Sequence, residues 1–125
     1  MQNETLYERI GGDDTLKHLT DLFYDLVFEN ATISHLFKND KEEIKEKQRL
    51  FLTQFLGGPQ LYSEVHGHPM MRARHMPHTI TEEAAVAWLH CMSTAIGKLP
   101  IAESLKDELF ERFPRTAFFM VNRES

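Results

Sequence analysis

The stretch GGPQLYSEVHGHPMMRARHMPH, residues 57–78, gathers the side chains best suited to chemistry. It holds four histidines (His66, His68, His75, His78), two arginines (Arg72, Arg74) and three prolines (Pro59, Pro69, Pro77). A neutral imidazole binds metals and changes charge near physiological pH. Arg72 and Arg74 oppose protonation of His75, keeping it neutral, and attract any anionic group of a ligand. Gly57-Gly58-Pro59 stops a preceding helix and turns the chain. Pro69 suits the first position of a new helix, and Pro77 pushes Met76 away from helical geometry. About two turns of helix fit between those prolines, with His75 in the last. The pattern predicts one imidazole near a pinned helix end, flanked by cations, as a ligand.

Residue types alone leave a competing reading open, in which His75 is a solvent-facing histidine in a polar loop. Zinc held by His66, His68 and His75 is the weaker metal reading, since the one cysteine is remote in sequence. His18, His35 and His90 are expected at the surface. Cys91 reads as a buried small hydrophobe, because no partner of a nucleophilic triad is identifiable. The two Gly-Gly pairs follow helices and not strands, so no phosphate-binding loop is expected.

The elements that must position these groups follow from hydrophobic spacing. The chain of 125 residues is read as one domain, 1–125, with room for a core. A net charge of −5 argues against nucleic acid as a partner. The apolar runs are too short to cross a bilayer, and MQNETLYERI carries no secretory pattern. With a single cysteine, a reducing cytoplasm is the expected location.

A short helix is expected from near Thr5 to Gly11-Gly12, with Asp13 or Asp14 capping the next. Leu16, Leu19, Phe23, Leu26 and Val27 recur at helical spacing, with Tyr24 at the edge of their stripe. Segment 31–38 reads as a short helix or turn delivering Leu36 and Phe37 inward. Asp40 and Glu43 have the form of a capping box opening a helix on Ile44, Gln48, Phe51, Leu52, Phe55 and Leu56. Gln48 is a carboxamide in an apolar stripe and needs a partner. Thr81, Glu82 and Glu83 open a helix whose inward face carries Ala85, Trp88, Leu89, Met92, Ala95 and Ile96. A last helix on Leu105, Leu109, Phe113, Ala117, Met120 and Val121 should kink or split at Pro114. No segment alternates like a strand, so the predicted class is all-α.

Gly11-Gly12, Gly57-Gly58, the segment QFLGGPQLYSEVHGHPMMRARHMP and the later AWLHCM together resemble the truncated haemoglobins, group II (O-type), over nearly the whole chain. The resemblance implies a globin-like two-over-two helical sandwich enclosing one haem b. It implies His75 as the iron ligand, and Tyr24 and Trp88 as donors of hydrogen bonds to the gas ligand. Phe37 takes a distal position that varies among relatives, and Gln48 falls one turn beyond the distal gate. Lys47, Tyr62 and Arg74 become partners for the haem propionates, while Phe51, Leu52, Met76 and Met92 become cofactor contacts. Two departures stand out: Ile44 holds the gate position where relatives often carry Ala or Thr, and His78 replaces a usual phenylalanine. His78 would contact a propionate or give a second, non-native ligand on unfolding. The break at Pro114 is not expected from the family.

The function implied is reversible binding of oxygen and other diatomic ligands at a five-coordinate iron, tight and slowly releasing. It would be coupled to redox chemistry such as peroxide reduction or nitric oxide detoxification, with an external electron donor. A non-enzymatic oxygen or gas sensor or storage protein is the alternative, and a haem-free helical protein the third reading. Monomers and homodimers both occur in the family. Replacing His75 with alanine should abolish haem uptake, read as loss of the Soret band after reconstitution; unchanged colour would overturn the assignment.

Overall fold

A computed structural model of the chain describes residues 4–36, 40–66, 81–119 and 121. All regular structure among them is helical, as the spacing predicts. Thr5 opens α1 (Leu6–Arg9) with a reciprocal box: its hydroxyl accepts from the Glu8 N–H at 3.2 Å, and Glu8 Oε1 accepts from the Thr5 N–H at 3.1 Å. The next helix, α2 (Gly12–Glu29), is not capped by Asp13 or Asp14 as expected. Gly11 holds the cap position at φ 115°, a left-handed conformation that aspartate would enter only with strain. Both acids lie in the first turn, where the helix dipole favours them, and Asp13 pairs with Arg49. Asn30 ends α2, its side-chain oxygen accepting from the Thr32 N–H at 2.9 Å. A 3-10 turn, Ser34–Leu36, follows. Ile33 is the residue buried there; Phe37 and the side chain of Leu36 lie outside the described residues.

Asp40 caps α3 (Lys41–Phe55) by accepting from the Glu43 N–H at 3.0 Å. A charge ladder joins α3 to α2. Lys41 meets Asp25 at 2.8 Å, Lys45 meets Asp21 at 3.1 Å, and Arg49 meets Asp13. Numbers rise along one helix as they fall along the other, so the pair is antiparallel, with bases on α3 and acids on α2. Gly57, at φ 95°, ends α3, and α4 (Leu61–His66) follows. Gly58 is needed for a different reason. A Cβ built on it would sit 2.8 Å from the Tyr7 ring and 2.9 Å from the Thr53 carbonyl oxygen. The same turn takes the Tyr7 N–H onto the Leu56 carbonyl at 3.0 Å, tying α1 to the end of α3.

Thr81 caps α5 (Glu82–Gly97), its hydroxyl accepting from the Ala84 N–H at 3.1 Å. The final pattern is split as Pro114 predicts, into α6 (Glu103–Phe110) and α7 (Pro114–Phe119), with proline at the first position of the second. The pair α2–α3 forms one side of the molecule and α5 with α6 and α7 the other, joined where α2 packs on α5. Leu16, Leu19, Phe23 and Val27 of α2 and Met92, Ala95 and Ile96 of α5 fill that junction. Among the described residues no helix is long and apolar enough to cross a membrane. Gly58→Ala should lower unfolding free energy by about 1–3 kcal/mol, since neither the backbone oxygen nor the packed ring can retreat freely. Urea unfolding measures it, and a wild-type midpoint would show the approach to be slack.

Candidate functional site

Among the described residues, eight aromatic rings run through the interior as one connected series. Tyr62 of α4 stands edge-on to Phe51 (centroids 5.8 Å apart), which stacks on Phe55 at 5.4 Å. Phe55 lies 5.6 Å from Phe113, and Phe113 lies 5.7 Å from Trp88. Trp88 meets Phe23 edge-on at 5.0 Å, Phe23 meets Tyr24 at 4.8 Å, and Tyr24 reaches Phe28 at 6.3 Å. Edge-to-face pairs of this kind add about 0.5–1.5 kcal/mol each beyond burial. The series draws side chains from α2, α3, α4 and α5, with Phe113 just before α7. It places Tyr24 and Trp88, the two expected donors, against one shared ring.

Tyr24 is more deeply placed than the edge of a stripe, with 3% of its surface exposed. The reason is that α2 is covered by α3 on one side and α5 on another, which widens its buried face. Burial pushes the Tyr24 phenol far above its ordinary value of 10, so it stays neutral and keeps its proton. Trp88 is half-buried, as are Gln48, Ile44 and Phe51, while Leu52 and Met92 are fully buried. Ile44 packs against the core. Tyr62 is buried, and Lys47 points to solvent with Glu43 3.6 Å away. Phe37, His68, Arg72, Arg74, His75, Met76 and His78 lie outside the described residues. His18, His35 and His90 are exposed and Cys91 is buried, as expected. Burial raises the Cys91 thiol above its ordinary value, and Asn30 Nδ2 approaches its sulfur at 3.9 Å.

Two contributors were not singled out by residue type. Phe23 and Phe113 read as ordinary core positions, yet each bridges rings from different helices. Gln54 carries a polar link to Ser63 of α4 that no periodicity could have revealed. Among the described residues no cluster of three metal-ligating side chains forms, and no buried polar side-chain atom lacks a partner.

The sequence model of a family described as bacterial-like globin matches residues 5–122. The chain is 46% identical over 117 residues to group 2 truncated hemoglobin YjbI of Bacillus subtilis (strain 168), covering 94% of this chain and 88% of that one. The fold superposes on the group II truncated hemoglobin of Bacillus anthracis with a TM-score of 0.95 at 44% identity, over 100% of this chain and 96% of the other. The chain belongs to the group II truncated haemoglobins. A second solved structure, a truncated oxygen-avid haemoglobin from Bacillus subtilis, matches with a TM-score of 0.89 at 45% identity, over 95% of this chain and 100% of that one.

Membership of the globin family implies a haem cofactor and the binding of oxygen or other diatomic gases. The interior of this truncated haemoglobin fits such a group by its chemistry. A porphyrin plane is apolar and asks for aromatic and aliphatic neighbours, side chains of the type that Leu52 and Met92 bring to the core and Phe51 packs against it. Its polar centre asks for a few placed donors, which the neutral phenol of Tyr24 and the indole of Trp88 can be. The raised Tyr24 value also sets an alkaline limit to stability. The folded chain holds this proton more tightly than the unfolded one, so stability is full below pH 10 and falls as pH climbs beyond it. Thermal midpoints measured across that range should decline less steeply in Tyr24→Phe than in wild type; parallel declines would remove Tyr24 as the cause.

Proposed function

We propose that the chain binds haem b through His75 and takes up oxygen or another diatomic gas tightly, releasing it slowly. The observation that carries the reading is the meeting of Tyr24 and Trp88, from different helices, on the single ring of Phe23. Haem, when bound, would supply a metal centre that takes up a diatomic gas and can change oxidation state. The imidazole of His75 would hold the iron. Phe51, Leu52, Met76 and Met92 would give the ring apolar contacts. Lys47, Tyr62, Arg74 and His78 would meet its carboxylates.

The phenol of Tyr24 cannot release its proton at working pH, so it acts as a fixed donor toward a gas ligand that gathers negative charge. The indole N–H of Trp88 is a donor at any pH. Gln48, Phe37 and Ile44 complete the distal wall, with Ile44 narrowing entry at the gate. A hydrogen bond to a charged acceptor contributes roughly 1.5–3 kcal/mol. Every 1.4 kcal/mol or so is a factor of ten, so two such donors slow gas loss by several orders of magnitude. Slow release suits a shuttle poorly. It suits retention of the gas for redox chemistry, peroxide reduction or nitric oxide detoxification, with electrons from an external donor in the cytoplasm. The similarity to an oxygen-avid haemoglobin supports the tight-binding part of this reading.

Stopped-flow measurement of oxygen dissociation tests the donors. Tyr24→Phe and Trp88→Phe should each release oxygen at least about tenfold faster than wild type, by the magnitudes above. Unchanged rates in both variants would refute the role given to them. Mixing the ferric protein with peroxide and a reducing substrate separates turnover from sensing or storage, since a pure binder consumes neither.

A further inference from the structure

The short helix α4 receives part of its cap from another helix. The first N–H groups of a helix have no partner within it and must find one elsewhere. In α4 the Leu61 N–H reaches the Pro59 carbonyl at 2.8 Å and the Glu64 N–H reaches the Gln60 carbonyl at 3.1 Å. The Ser63 N–H goes instead to Gln54 Oε1 at 3.0 Å, on the last turn of α3. The same carboxamide donates through Nε2 to the Ser63 hydroxyl at 2.8 Å. One side chain thus binds one residue at two points, which fixes direction as well as distance. Both bonds are partly buried, where water competes poorly.

Next to Ser63 stands Tyr62, buried and edge-on to Phe51 at 5.8 Å. A helix of six residues is too short to hold its own shape, so its placement comes from tertiary contacts. Tyr62 on Phe51 is one anchor and Gln54 on Ser63 is another. Lose the second and the Tyr62 ring can roll off Phe51, opening the wall at that end of the aromatic series.

We infer that Gln54 is a positioning residue for cofactor retention, acting through Ser63 to hold Tyr62 and α4 against Phe51. The inference rests on the haem reading above but concerns residues that touch no reacting atom in it. Haem loss is the quantity it moves, because escape needs the wall to open while gas binding does not.

The test compares Gln54→Met, which keeps size and loses both bonds, with Gln54→Glu, which can still accept from the Ser63 N–H and hydroxyl. Holoprotein is mixed with excess haem-free myoglobin as acceptor, and transfer is followed in the Soret region. Gln54→Met should lose haem about tenfold faster, equivalent to about 1.4 kcal/mol. Gln54→Glu should stay within about threefold of wild type, and adding Ser63→Ala to Gln54→Met should change little. Thermal unfolding of the haem-free variants is measured alongside. The inference fails if Gln54→Met retains haem like wild type, if Gln54→Glu behaves like Gln54→Met, or if faster loss merely tracks a lower unfolding midpoint. A wild-type chain that takes up no haem at all would instead bring down the haem reading, and this inference with it.

Discussion

The ring of Phe23, wedged where α2 crosses α5, is the contact on which the arrangement depends. It is fully buried and touches Tyr24 and Trp88 edge-on at 4.8 and 5.0 Å. Removing a buried phenylalanine ring typically costs 3–5 kcal/mol, a large part of the 5–15 kcal/mol that holds a domain folded. Here the same ring also sets how far apart two hydrogen-bond donors stand. A change that relaxes the core there therefore also moves the phenol of Tyr24 and the indole of Trp88.

The charge ladder between α2 and α3 works differently. Asp21 and Asp25 are more than half exposed, and exposed pairs contribute little each. Its value lies in order. With acids on one helix and bases on the other, a parallel arrangement or a shift by one turn would bring fewer opposite charges together. The apolar face supplies the attraction, and the ladder selects one antiparallel alignment among those that would bury similar area.

Periodicity made most of the helices readable. The stripes of α2, α3 and α5 were visible because their apolar residues recur at three and four, and the caps at Asp40 and Thr81 because a side-chain acceptor precedes acids by the right interval. Pro114 announced the break it makes. The start of α2 differs from the expected cap for a physical reason: Asp13 and Asp14 are good capping types, but the turn requires the left-handed backbone that Gly11 adopts. Tyr24 looked marginal because its own helix says nothing about how many neighbours will cover it. For Gln54 no local pattern exists at all, since its partner lies across a turn and the bond depends on three-dimensional placement. The motif around His75 was legible as chemistry and as family resemblance, and its geometry lies outside the described residues.

Cys91 has a practical bearing. It is the only thiol in the chain, almost wholly covered, with burial holding it in the protonated, unreactive form. Alkylating reagents in solvent therefore find a target only when α5 separates from its neighbours. The molecule carries its own single-site tag for opening of the core, readable by mass without any added probe.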